Sequence, residues 1–115
     1  MTIILCLYSC CCLFGTRAGA SEVGIASYYG EGFQGRQTAS GEVFDQRKLT
    51  CAHRELPFGT RLRVTNLEND KSVVVRVNDR GPWVSGRIID LSYAAAKQIG
   101  MLERGLVKVK VEIVR

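Results

Sequence analysis

Between residues 105 and 114 the chain alternates without a break, with Val107, Val109, Val111 and Ile113 on one side and Lys108, Lys110 and Glu112 on the other. Successive side chains of a strand point to opposite faces, so this pattern predicts a strand with one face in a core and the other in water. Such a strand needs partners for its backbone, and the preceding sequence offers them. Residues 61–66 and 72–78 read as two strands joined by Leu67-Glu68-Asn69-Asp70-Lys71, whose Asn and Asp favour a turn. Another strand is expected near residues 25–29, followed by an exposed, Gly-rich loop to about residue 45. Ser92 reads as the N-cap of a short helix through Ala94, Ala95, Ala96 and Ile99, stopped at Gly100. Many short strands with one small helix predict a closed all-β barrel, because closure removes unpaired strand edges.

A chain of 115 residues, 46% of them hydrophobic, has room for one small core. Sixteen Lys and Arg against eleven Asp and Glu leave a net charge of +5, which favours an anionic partner. The basic residues are scattered rather than clustered, so nucleic acid is not the expected partner. Four of the five cysteines, Cys6, Cys10, Cys11 and Cys12, lie in an apolar run from Ile3 to Phe14. That run is shorter than the ~20 residues of a membrane-spanning helix. Followed by Ala18-Gly19-Ala20, it reads as a signal peptide over residues 1–20, cleaved before Ser21. Leu7-Tyr8-Ser9-Cys10 also loosely resembles a bacterial lipobox, although bulky Tyr8 counts against it. Any membrane association would then run through this N-terminal segment alone, and the exported domain is expected to be a monomer.

Three runs carry the candidate chemistry: Thr38-Ala39-Ser40-Gly41-Glu42, Leu49-Thr50-Cys51-Ala52-His53 and Asn78-Asp79-Arg80-Gly81-Pro82. Asp79 follows an apolar strand, where the chain must turn and a side chain can project into a cleft; it could equally cap the turn or pair with Arg80. Glu42 is either a second carboxyl or a solvated loop charge. His53, the sole histidine, is either a site residue or a hydrogen-bonded structural one. Cys51, two residues from His53, has no supporting nucleophile motif. Asp90 could cap the helix that begins after Ser92 or belong to the site. Tyr28, Tyr29, Phe33 and Trp83 are aromatics suited to the apolar faces of sugars, with Trp83 expected to be exposed. Arg80 and Arg87 could bind carboxylates. One histidine and one cysteine after residue 20 do not make a metal site, and no cofactor is implied.

These runs, together with Gly24-Ile25-Ala26-Ser27-Tyr28-Tyr29-Gly30, Leu56-Pro57-Phe58-Gly59-Thr60, Val64-Thr65-Asn66-Leu67 and Arg87-Ile88-Ile89-Asp90-Leu91-Ser92, resemble the rare lipoprotein A family. The resemblance covers nearly everything after residue 23. It implies a six-stranded double-psi β-barrel over residues 21–115, exported to the periplasm or cell envelope, acting as a lytic transglycosylase on peptidoglycan glycan strands. It places Asp79, Glu42 and His53 at the centre of the site. Asp90 matches the Asp of a His-Phe-Asp motif in expansins and barrel endoglucanases, with Ile88-Ile89 standing where those have His-Phe. A lytic transglycosylase can manage with one carboxyl, since the attacking oxygen is the 6-hydroxyl of the substrate's own N-acetylmuramic acid. Two rivals share the cleft: a non-catalytic, expansin-like wall-binding module, and a hydrolase, which would need two carboxyls at a suitable separation.

Overall fold

A computed structural model describes residues 21–115; the signal-peptide, lipobox and cysteine-run expectations lie outside the described residues. The elements are β1 (Ser21–Tyr28), a 3-10 turn (Glu31–Phe33), β2 (Thr50–Ala52), β3 (Arg61–Asn66), β4 (Ser72–Asp79), β5 (Arg87–Leu91), α1 (Tyr93–Gln98) and β6 (Val107–Ile113). The six strands close into a barrel in the order β1-β5-β2-β4-β3-β6. Two of the pairs, β1 with β5 and β2 with β4, are parallel; the other four are antiparallel.

The alternation of β6 works as expected: Val107, Val109 and Val111 are buried, whereas Lys108 is exposed and Lys110 half-buried. They meet Leu62, Val64, Val75, Val77, Ile89 and Leu91 from the other strands, and Ile99 and Met101 close one end. The β3–β4 turn is tightened by Asp70, which takes a left-handed conformation at φ 63°, as short Asx side chains can. Ser92 caps α1 by accepting from the Ala95 amide. The first strand starts four residues earlier than the sequence pattern suggests, because its leading residues 21–24 pair along β6.

Each parallel pair contains one irregularity. Between Cys51 and Ala52 the register against β4 slips, so that Ala52 faces Asp79. Between Ile25 and Ala26 it slips against β5, so that Ser27 faces Asp90. Such bulges bend a strand and re-aim the side chains beside them. The second one seats Ile88 directly over Gly24, where an added Cβ would stand 2.6 Å from Ile88 Cγ2. A glycine is required there by space alone.

Candidate active site

Asp79 ends β4, and three donors converge on its carboxyl. The Ala39 amide donates to Oδ1 at 2.8 Å, the Arg80 amide donates to the same oxygen at 2.9 Å, and the Tyr29 hydroxyl donates to Oδ2 at 2.6 Å. Tyr29 is held in turn by a stacked contact with Phe44, 4.4 Å between centroids, and an edge contact with Phe33. Burial first, and then the hydrogen bond to Asp79, push the Tyr29 phenol far above its ordinary value, so it stays a donor. The turn that brings Ala39 to Asp79 is itself fastened to β4. Glu42 takes a bidentate pair from Arg76, both contacts at 2.8 Å, and a third hydrogen bond from Asn78 at 3.2 Å. These bonds, Arg76's foremost, hold the Glu42 carboxyl down at about 2.

Asp90 has the opposite environment. It sits half-buried on β5, its Oδ1 accepting a short hydrogen bond from the Ser27 hydroxyl across the parallel pair. Burial raises its carboxyl above its ordinary value; the Ser27 bond and Arg87 oppose that shift and neighbouring Asp79 adds to it. The helix-capping alternative for Asp90 is not what the structure has, since Ser92 does the capping and Asp90 faces Ser27.

Asp79 and Asp90 line one open cleft of about 430 Å³. Its walls include Tyr28, Tyr29, Arg80, Trp83 and Arg87, so all five residues expected to touch substrate lie along it. Trp83 is 73% exposed on the rim, as expected. The loop carrying it leaves β4 through Gly81, whose φ of 125° disfavours any side chain. Arg54 fastens that loop by donating to the carbonyls of Pro82 at 2.7 Å, Val84 at 3.2 Å and Arg87 at 2.5 Å.

His53 and Cys51 do not line the cleft, and Arg80 and Tyr28, which do, are also tied to the barrel behind it. His53 is buried, and its Nδ1 accepts from the Glu55 and Leu56 amides at 3.2 Å each. Nε2 lies 3.8 Å from Glu22, and the His53 amide donates to the Asp79 carbonyl at 3.1 Å. His53 thus reaches Asp79 through the main chain. The Arg80 guanidinium lies 4.1 Å over the Phe58 ring and donates to the His53 carbonyl at 3.3 Å. The Tyr28 hydroxyl donates to the Leu102 carbonyl at 2.8 Å, fixing its ring against the barrel. Cys51 is fully buried, and that burial pushes its thiol up, away from nucleophilic use. Sequence reasoning missed Ser27, Arg54 and Arg76. Ser27 and Arg54 lie inside or beside quoted motifs, but nothing local marks their partners. Among the described residues, no group of three or more His, Cys, Asp or Glu side chains could hold a metal ion.

A family model described as lytic transglycolase matches residues 21–111. The chain belongs to this lytic transglycolase family. It is similar to the probable endolytic peptidoglycan transglycosylase RlpA of Synechocystis, 61% identical over 92 residues, which cover 80% of this chain and 29% of that protein. It is also similar to the endolytic peptidoglycan transglycosylase RlpA of Campylobacter jejuni, 53% identical over 96 residues, 84% of this chain and 35% of that one. The chain thus spans about a third of the length of these relatives. Among solved structures, the Streptomyces papain inhibitor superposes with a TM-score of 0.69 at 26% identity, over 85% of this chain and 97% of that one. The apo expansin of Clavibacter michiganensis gives 0.64 at 25% identity, over 83% of this chain and 50% of that one. The lytic transglycolase barrel here is the six-stranded double-psi type that the motifs implied.

Proposed function

We propose that this barrel cleaves peptidoglycan glycan strands between N-acetylmuramic acid and N-acetylglucosamine by lytic transglycosylation, leaving 1,6-anhydro-muramic ends. The observation that carries the proposal is the pair of carboxyls on one cleft in unlike surroundings: Asp90 buried and raised, Asp79 surrounded by donors. A half-buried carboxyl raised above its ordinary value suits the acid, and a carboxyl ringed by donors suits the charge stabiliser. Family membership and the RlpA relatives, named as endolytic peptidoglycan transglycosylases, supply the substrate.

In its protonated form, which burial favours, Asp90 gives its proton to the O4 atom of the departing N-acetylglucosamine while the C1–O4 bond breaks. The positive charge that develops at C1 and the ring oxygen faces the Asp79 carboxylate, held in place by Tyr29, Ala39 and Arg80. The substrate's O6 then bonds to C1 and passes its proton to the Asp90 carboxylate, which restores the acid. One C–O bond breaks, one forms, and no water is consumed. Glu42 and His53 act as positioning residues, the first through the 38–42 turn and the second through the main chain of Asp79. Trp83 and Arg87 contact the strand along the rim. On this reading the protein works as a monomer in the cell envelope, exported by residues 1–20, which also carry any membrane contact.

The open cleft with an exposed Trp83 favours a second reading, a wall-binding module without turnover. An expansin variant of similar fold was solved in complex with cellohexaose, at TM-score 0.62 and 25% identity. Mass spectrometry of soluble products from denuded and intact peptidoglycan separates the two. Anhydro-muramyl products lost in Asp90→Asn and Asp79→Asn support the transglycosylase. Reducing-end products indicate a hydrolase, and wall binding without released sugar supports the binding module.

A further inference from the structure

A smaller pocket of about 100 Å³ also has Asp79 in its lining, but not Trp83. It shares Tyr29, Phe33 and Asp79 with the main cleft, and adds Phe44, Arg36 and Gln37. Most of the arginines around the site already have acceptors. Arg54 holds three carbonyls, Arg76 holds Glu42, and Arg80 lies on Phe58 and holds the His53 carbonyl. Arg87 has Asp90 as its charge neighbour. The Arg36 guanidinium lies 5.6 Å from the Phe33 centroid, with no carboxylate or carbonyl acceptor among the described residues. Gln37 is likewise half spent: Nε2 donates to the Gly41 carbonyl at 3.1 Å, and Oε1 carries no hydrogen bond.

The pocket therefore offers aromatic walls, one cationic donor and an amide acceptor, beside a carboxylate. A ligand anion would meet Asp79 and be repelled. A bare hydroxyl would leave the Phe33, Phe44 and Tyr29 surfaces unfilled. A secondary amide with a methyl group matches each feature: methyl to the aromatic walls, carbonyl oxygen to Arg36, N–H to Gln37 Oε1. We infer that this pocket receives the 2-acetamido group of an amino-sugar residue bound across Asp79, and so distinguishes N-acetylated wall glycan from cellulose-like polymers. The inference rests on the reading of the cleft as a glycan site, but not on turnover.

The sole tryptophan, Trp83, stands on the cleft rim and reports binding by its own fluorescence. Titration of the purified protein with chitohexaose and with cellohexaose compares ligands that differ only in the 2-substituent. Binding about tenfold or more tighter to chitohexaose is expected. Arg36→Met, which removes the guanidinium and keeps an apolar stem over Phe33, should bring the ratio to within about threefold while cellohexaose affinity stays unchanged, since a hydrogen bond to a charged group is worth roughly tenfold in affinity. Equal affinities in the unmodified protein, or an equal loss for both sugars in Arg36→Met, would overturn the inference. Anhydro-sugar release is measured separately: its absence with the binding ratio intact removes the proposed reaction and leaves the pocket assignment standing, and the reverse result removes only the pocket assignment.

Discussion

Tyr29→Phe isolates one atom of the site. The ring should keep its stack on Phe44 and its edge contact with Phe33, so the packing of β1 and the loop is preserved. What disappears is the 2.6 Å hydrogen bond to Asp79 Oδ2. The two remaining donors, Ala39 and Arg80, both serve Oδ1, so Oδ2 loses its sole partner among the described residues. A hydrogen bond to a charged group contributes about 1.5–3 kcal/mol. If that is felt chiefly in the transition state, where the Asp79 carboxylate faces developing positive charge, kcat should fall about 10- to 150-fold. KM should change little, because the substrate is not what the hydroxyl touches. Stability should change by under ~1 kcal/mol, since Asp79 is half-buried on the open cleft and water can take the place of the lost donor at Oδ2. The assay is the initial rate of anhydro-muropeptide release from denuded glycan, run beside a urea unfolding curve. A kcat within twofold of the unmodified protein, with unfolding unchanged, would refute the claim that Tyr29 holds a working Asp79.

Asp90→Asn should abolish the acid and lower turnover by roughly 100- to 10,000-fold. Because burial raises the folded carboxyl, its ionised form opposes folding at neutral pH, and the native contribution of the neutral form is lost as pH rises through the folded value; Asp90→Asn should therefore melt higher than the parent at pH 7 and converge with it in acid. Glu42→Gln should behave oppositely: the carboxyl is lowered to about 2, so its stabilisation is present above about 4.5 and fades as pH falls toward 2. With Arg76 partly exposed, the deficit in urea unfolding at pH 7 should be ~1 kcal/mol and should narrow at pH 3. Gly24→Ala drives a methyl against Ile88 and should cost about 1–3 kcal/mol. Adding Ile88→Ala makes room, so the double variant should show a smaller coupling penalty than the two single changes summed, read from urea midpoints.

The parts of this protein that were legible in the sequence are those whose cause is local. Strand β6 announces itself by period, the β3–β4 hairpin by its Asn and Asp, and α1 by Ser92 and Gly100. Strands β2 and β5 do not: β2 is three residues buried throughout, and β5 is five residues in which buried Ile89 and Leu91 alternate with half-buried Ile88 and Asp90, too short a run to stand out. The site divides in the same way. Asp79 was legible from its place at a strand end, and Trp83 from its place in a loop. The pairing of Ser27 with Asp90 spans 63 positions, that of Tyr29 with Asp79 spans 50, and that of Glu42 with Arg76 spans 34. Nothing in a local window encodes such contacts. Tyr29 was legible as an aromatic near the site, but the direction of its hydroxyl follows from barrel closure. Arg80 was read as a carboxylate ligand from its charge, while its contact with Phe58, distant in sequence, is written in no local window.

On the proposed reading, the two parallel pairs govern when the barrel becomes able to cut wall glycan. Asp90 meets Ser27 only when the first and fifth strands lie side by side, and Asp79 meets Tyr29 only when the fourth strand and the loop after the first are drawn together. The first and third strands are in turn each bound by the last, β6. Until β6 is in place, the first and third strands lack their closing partner. On that reading the ability to cut arrives with the final strand, and a chain not yet closed into the barrel has none.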